Sequence, residues 1–581
     1  MFRVTGLYVV GAWIVLQVAD LALPALGIPE SSIRFVWVGL TIGFPISLIL
    51  GWRYDIKNGL IVRTKNASDE VKLSLQSADY AILATLTIVA VAVIIGTVGG
   101  ISQTQQHDDR FNIGRDINDL SIAVLPFVNR SLDSGNDFFA DGISEELLNA
   151  LANVPELSVV SRTSSFSFKN KDLSVLEIAT KLNVAYVLEG SVRRSKNTIR
   201  ITAQLIDARA DSHLWSHAFD LTIDDIFAVQ DEIAMAVVDK LKVTLIGDLS
   251  IIKTTSSEAY VLYLQANHVS RRQSDEAIQE AELLYRESLA LDPTYSQSWI
   301  GLCQLYSNSV TVGLYSIEDG FRNAVGACQE ALTHDPGSAA AFAELGWLAS
   351  NVDNSLENAA QYIQRAWELD STDAAVVSAT ASMMQGLGRF KEAITLYEQI
   401  LAVDPVNPVS YYNLGSAYLY NGDFADARLH YLKVLDLSPD FLGGWYALGL
   451  AELMMGRNEA ALERFALEAD DAWRYKGRAL AHHSLGNLDQ ARAALNELIS
   501  EIGEDWPAEV AEVYSFWNDA DSAFKWLSRE WQDPGGWAVG RRGPLYDNIG
   551  SDPRWQKLLT QLGVSDEQLS LIAFEVTIPH H

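Results

Sequence analysis

The sequence predicts a multi-domain chain with N-terminal transmembrane helices, a small α/β domain with a mixed sheet, and an all-α solenoid of helical repeats. Three observations carry that reading. Long apolar runs crowd the N-terminus, strand and helix patterns alternate over 120–246, and from 257 onward a helix-closing motif recurs at a fixed step. A chain of 581 residues is too long for one core, so several folded parts are expected. With 74 acidic against 43 basic residues and a net charge of -31, general nucleic-acid binding is excluded, because phosphate recognition needs a concentrated cationic face.

The apolar runs span 7–28 (LYVVGAWIVLQVADLALPALGI), 35–52 (FVWVGLTIGFPISLILGW) and 80–101 (YAILATLTIVAVAVIIGTVGGI). Each approaches the length of a bilayer crossing, which predicts a three-helix membrane anchor over 1–104. Arg53, Lys57, Arg63, Lys65 and Lys72 lie between the second and third runs. The positive-inside rule then places the 53–79 loop in the cytoplasm. Residues beyond the 105–119 linker fall on the opposite side, which in a bacterial inner membrane is the periplasm. Gln17 and Asp20 are polar interruptions of the first run. Gly39 and Gly43 form a GxxxG that would let helices pack closely.

Over 120–246 SIAVLPF (121–127) reads as a buried strand. In DFFADGISEELLNALANV, Asp141 is placed to cap a helix bearing Ile143, Leu147, Leu148 and Leu151. LSVVSR (157–162) reads as a strand and SRTSSFSFK (161–169) as a loop after a strand end, a common position for ligands in α/β sheets. LSVLEIATKLNV is a second helix, HLWSHAFDL (213–221) a last strand, and DIFAVQDEIAMAVVDKL an amphipathic helix. The stretch VLEGSVRRSKNTIRITAQLIDA (187–208) alternates apolar and polar residues on both sides of Lys196 and Asn197, the pattern of a hairpin with one buried face. Its cations Arg193, Arg194, Lys196 and Arg200 cluster at the tip and outer face, where pairing with carboxylates or protection of an edge is expected. These strings together resemble the TolB amino-terminal-like (FlgO-like) domain, which bacteria often place before repeats in membrane-anchored proteins. Some relatives carry a cyclase or a winged helix-turn-helix ahead of the membrane part. Only Met1 to Gly6 precede the first run, so neither activity is expected here. The resemblance implies architecture and supplies no catalytic residues.

From 257 to 531 the anchors LALDP (289–293), LTHDP (332–336), LAVDP (401–405) and LDLSP (435–439) each close a helix with proline. Pro405 and Pro439 are one 34-residue period apart, the tetratricopeptide step. Tyr411, Leu414, Gly415, Tyr418, Gly422, Ala427 and Tyr431 resemble the packing and turn positions of that consensus. Gly388, Gly422 and Gly456 recur in the turn between helices, where a left-handed residue is needed. Ala393, Ala427 and Ala461 keep the same step where paired helices touch. About seven units are expected, with a degenerate eighth over 507–531 and a capping segment over 532–581.

No catalytic motif stands out: GxxxxGK[ST], HExxH, GxSxG and a strand-following GxGxxG are all missing, so no enzyme, cofactor or metal is expected. Asp207, Asp211, His213 and His217 lie close in sequence, but surface histidines beside a turn outweigh a metal site. Cys303 and Cys328 fall in the second repeat, both at buried positions of one helix pair. Two readings stay open for them, a disulfide in an oxidising compartment or two packed thiols. The expected function is a non-catalytic, membrane-anchored scaffold or sensor that binds protein or peptide in the solenoid groove. Overall acidity there favours basic peptides. The alternative is a regulatory subunit of a signalling system (cyclase-associated or transcription control) acting through a separate partner.

Overall fold

The computed structural model describes residues 54–57, 60–63 and 119–578, apart from short internal stretches of which 242–254 and 531–542 are the longest. The chain divides into two compact units, 1–116 and 117–581. In the first, β1 (Tyr54–Lys57) and β2 (Leu60–Arg63) form an antiparallel hairpin with Tyr54 opposite Arg63.

Two expectations are corrected here: N-terminal transmembrane helices as part of the fold class, and a multi-pass inner-membrane location with periplasmic C-terminal domains. Among the described residues no helix is long and apolar enough to cross a membrane. The described helix with the greatest length has 18 residues, spans about 27 Å at 1.5 Å per residue, and carries Glu318, Asp319, Arg322 and Glu330. The runs at 7–28, 35–52 and 80–101, with Gln17, Asp20, Gly39 and Gly43, lie outside the described residues. The fold class is therefore a mixed-sheet α/β domain followed by an all-α tetratricopeptide solenoid.

The sheet of the second unit contains β3 (Ser121–Val124), β4 (Val128–Asn129), β5 (Ser158–Val159), β6 (Tyr186–Ser195), β7 (Thr198–Asp207) and β8 (Ser212–Thr222). Its order is β5-β3-β6-β7-β8, with β4 continuing the β3 edge along β6. The β3 pairings with β5 and β6 are parallel; those of β6 with β7 and β7 with β8 are antiparallel. Helices α1 (Asp137–Ala152) and α4 (Ile226–Leu241) cover one face, where Ile143, Leu147, Ile233 and Val237 bury against Leu188, Ile201 and Leu205. The other face is covered by α3 (Val175–Leu182) through Ile178 and Leu182. SRTSSF, expected as a loop, is a short helix α2 (Arg162–Phe166) capped by Ser161.

The expected hairpin is β6–β7, although Lys196 and Asn197 at its tip lie outside the described residues. Its register sets Arg193 opposite Arg200, a repulsive cross-strand pair. Asp220 on β8 answers it: both Arg200 donors reach the carboxylate at 2.6 Å. Arg194 lies 5.2 Å above the Phe139 ring. The ribbon is thus engaged within its own sheet and helix layer.

The solenoid consists of eight described helix pairs. They are α5 (Ser257–Ser270) with α6 (Asp275–Leu291), α7 (Ser296–Thr311) with α8 (Ile317–His334), α9 (Ala339–Asn351) with α10 (Leu356–Leu369), and α11 (Ala374–Gly386) with α12 (Phe390–Val403). Then follow α13 (Pro408–Asn421) with α14 (Phe424–Leu437), α15 (Gly444–Met454) with α16 (Asn458–Phe465), α17 (Asp471–Ser484) with α18 (Leu488–Ile502), and α19 (Pro507–Phe516) with α20 (Ala520–Glu530). The last pair occupies the stretch read as degenerate. Two short helices, α21 (Pro553–Gln561) and α22 (Asp566–Leu571), close the end.

Gly388, Gly422 and Gly456 sit in the inter-helix turns at φ +75°, +86° and +74°, so a side chain there would be strained. Ala393, Ala427 and Ala461 are fully buried between paired helices. Gly415 faces the Tyr431 ring, which a Cβ would approach to 2.8 Å.

Candidate protein-interaction site

The α/β domain does not stand apart from the solenoid: its core runs on into α5 through Tyr260 and Leu264. Polar contacts extend the seam. Ser161 donates its amide to the Val403 carbonyl at 2.6 Å. The Ser161 and Ser164 hydroxyls both donate to Asp404 Oδ1, the Ser164 bond being 2.7 Å, and Ser164 Oγ in turn accepts from the Val406 amide at 3.1 Å. Asn407 and Ser410 donate to the other oxygen of Asp404, so that this buried carboxylate is fully solvated by donors. Of the hydroxyls read as a candidate ligand loop, those of Ser161 and Ser164 are thus spent on the turn between α12 and α13, while Ser167 donates to the Ser164 carbonyl.

Asp141 does not cap a helix, since α1 begins four residues earlier at Asp137. It is buried and takes the Lys169 ammonium at 2.6 Å, with His268 Nδ1 of α5 at 3.4 Å. Burial pushes its pKa up, but hydrogen bonds from His268 and Lys169 outweigh that and hold it below the ordinary value. One turn along α1, Glu145 accepts from Arg162 Nε at 2.9 Å and from Nη2 of Arg271, the residue that ends α5, at 2.7 Å. Sequence reading missed all of these roles. The spacing of Asp141 and Glu145 was the available signal, since i and i+4 share a helix face.

Between α1 and the first two repeats lies a cavity of about 390 Å³ bordered by Glu145, Asn267, Arg271 and the exposed strip Gln297, Gln304 and Asn308 of α7. A second cavity of about 430 Å³ opens where β3 gives way to β4, beside Lys169, Lys171 and Glu189. Further along, Lys476 of α17 is buried against Glu509 and Glu512 of α19. Burial opposes its charge, yet the two carboxylates hold its pKa well above the usual lysine value.

Cys303 on α7 and Cys328 on α8 are fully buried with Cα atoms 5.3 Å apart, and their sulfurs are joined in the structure. Asp207 accepts from the amides of Arg209 and Ala210, Asp211 takes a left-handed turn conformation, and His217 packs 4.6 Å from the Phe219 ring. Among the described residues no cluster of three or more potential metal ligands forms.

Fold and seam together define a class: a mixed-sheet α/β domain locked onto a tetratricopeptide solenoid. Two tetratricopeptide matches, over 385–440 and 412–474, fall in that solenoid. The α/β domain matches, over 118–236, the second domain of HilA/YgeH-like transcriptional regulators. A putative adenylate cyclase 3 of Rhizobium meliloti is 36% identical over 220 residues, 37% of this chain and 38% of that protein. The TPR repeat-containing protein YvcD of Bacillus subtilis is 26% identical over 159 residues, 27% of this chain and 32% of that protein. The chain therefore spans well under half the length of either relative. The solved structure of Pseudomonas aeruginosa PilF aligns with 36% of this chain and 92% of its own at 19% identity and a TM-score of 0.30.

Proposed function

We propose that this chain is a non-catalytic protein-interaction scaffold. Its solenoid is the binding platform and its α/β domain, of TolB amino-terminal-like type, is a regulatory wall fixed against α5 and against the turn between α12 and α13. The observation that carries this reading is the seam. Ser161, Ser164, Arg162 and Lys169 lie within one short stretch, and all are engaged in holding the domain to the solenoid or to α1. A domain committed in this way shapes one wall of a groove, and the Ser161 and Ser164 hydroxyls serve the seam. The test is site-specific photo-crosslinking from position 304, facing the cavity, with position 357 on α10 as an exposed control. Capture of one defined protein from position 304 alone is expected. The reading fails if neither position captures protein above background, or if both capture the same mixture.

A second reading is favoured by the descriptions of the matched proteins, a transcriptional-regulator domain and a putative cyclase. In it the scaffold is the regulatory part of a signalling system and its captured partner is the output component. Identification of the crosslinked protein separates the two: a cyclase or a DNA-binding protein supports the second, and any other partner the first.

A further inference from the structure

The sheet of the α/β domain ends on two very different edges. One edge, β5, is two residues long, and the chain after it turns at once into the seam. The other, β8, is eleven residues long and has no strand beyond it among the described residues. Short strands, charges and prolines are the usual devices that keep an open edge from pairing. From Ser212 to Phe219 the strand carries no Pro, Asp, Glu, Lys or Arg, and the Asp220 that follows is neutralised by Arg200. A bulge at Leu214 interrupts the register with β7, so the regular edge runs from Trp215 to Thr222.

Which main-chain groups this edge offers follows from the alternation of hydrogen bonds across an antiparallel pair. The Ala208 amide donates to the Ala185 carbonyl at 3.0 Å. That bond continues the β6–β7 register and marks the even-numbered residues of β7 as the ones bonded to β6. The odd-numbered ones therefore bond to β8, where Ala203 stands opposite His217 and Ile201 opposite Phe219. On β8 itself the outward amides and carbonyls belong to Ser216, Ala218 and Asp220, and none has a partner among the described residues. Trp215, His217 and Phe219 line one face of the strand, with the His217 ring 4.6 Å from Phe219 and 6.4 Å from Trp215. Ser216 and Ala218 lie on the opposite face, and both are exposed, as is His217.

We propose that β8 pairs antiparallel with β8 of a second copy of this chain, about a two-fold axis at His217, so that two sheets become one. What singles out a second copy is that the strand complements itself in this register. Ser216 lies opposite Ala218 of the second copy, and both are outward-bonding positions. Each such pair exchanges two main-chain hydrogen bonds, about four in all. On one face Trp215 meets Phe219 of the second copy, at a position where opposed side chains come closest. On the other face two small residues meet, and Asp220 lies opposite Leu214, so no like charges are opposed. The two-fold also uses up both long edges and leaves none to propagate. The pairing goes beyond the scaffold reading and does not depend on what the solenoid binds.

The test uses the full chain. Light scattering after gel filtration is expected to give twice the mass of one chain at micromolar concentration. Ala218→Pro removes one outward amide from each copy, a change that an unpaired edge tolerates. Two bonds lost per dimer are expected to weaken association about tenfold or more, with the fold retained by circular dichroism. His217→Cys, treated with oxidised glutathione, is expected to give a covalent dimer, because directly opposed Cα atoms at about 4.5 Å fall within disulfide reach. Asp220→Cys is the control, since it stands about 20 Å along the strand from its own mate and is expected to stay unlinked. The native cysteines are joined to each other and do not compete. A single-chain mass overturns the proposal. A double mass that Ala218→Pro leaves unchanged, or equal linkage at 217 and 220, overturns it too, because the contact then lies elsewhere or has no fixed register. Should Ala218→Pro fail to fold, the two cysteine variants decide alone.

Discussion

Glu146 is the least comfortable residue of the seam. Burial pushes its carboxyl pKa up to about 7, neighbouring Glu145 adds to the effect, and its surroundings are the tyrosines Tyr260, Tyr263 and Tyr295. The unfolded chain releases this proton near 4.5, whereas the folded chain keeps it until about 7. Between those values the folded state binds more protons than the unfolded one, so stability falls as pH rises through the window and then levels off. Glu146→Gln is expected to leave stability unchanged at pH 4 and to raise it at pH 8 by up to roughly 3 kcal/mol. Urea titrations at the two pH values check this, and an equal effect at both would remove Glu146 from the account. Nothing in SEELLNALA marks this glutamate, because its pKa depends on α5, more than a hundred residues away in sequence.

Among elements, the pairing of α17 with α19 depends on a buried charge cluster, and the cost of breaking it depends on which partner goes. Lys476→Met leaves Glu509 and Glu512 facing each other without a cation, and a loss of about 3–5 kcal/mol is expected. Adding Glu509→Gln and Glu512→Gln to Lys476→Met is expected to recover most of that loss, since an uncharged cluster has no stranded carboxylate. Thermal unfolding of the single and triple variants makes the comparison. A triple variant no better than the single one would show that packing of the lysine stem, and not charge, holds these helices. The helices themselves were legible, because the 34-residue recurrence of Gly388, Gly422 and Gly456 and of Ala393, Ala427 and Ala461 reflects turns and contacts that repeat identically. The cluster was not. It uses positions occupied by other residue types in neighbouring repeats, such as Tyr412 and Tyr446, so no recurrence announces it. In the α/β domain the alternation in β6 and β7 was legible for a similar reason, since a half-buried sheet imposes period two. The helical turn of SRTSSF was hidden because the serines there satisfy backbone and side-chain partners from a distant part of the fold.

For the whole molecule the decisive contact joins residues about 240 apart. The LxxDP motif occurs at several repeats, and its aspartate ordinarily ends one helix before the next begins. Asp404 alone among them also receives the α/β domain, a role set by the relative placement of two rigid parts and not by any local pattern. If this contact holds the wall of the groove in place, cutting it should loosen the wall and leave the platform intact. Ser161→Ala with Ser164→Ala removes both hydroxyl donors while sparing the Asn407 and Ser410 bonds that organise the turn itself. Leaving the buried Asp404 oxygen short of donors costs about 1–3 kcal/mol, enough to raise opening of the seam by about tenfold or more. Hydrogen exchange is expected to quicken by that factor in α2 and at the face of α1 bearing Asp141 and Glu145. Rates in α15 to α20 should stay at their original values. If α2 exchanges no faster in the double variant, the apolar continuity through Tyr260 and Leu264 is sufficient by itself. The serines would then be ornaments of a seam that the core had already closed.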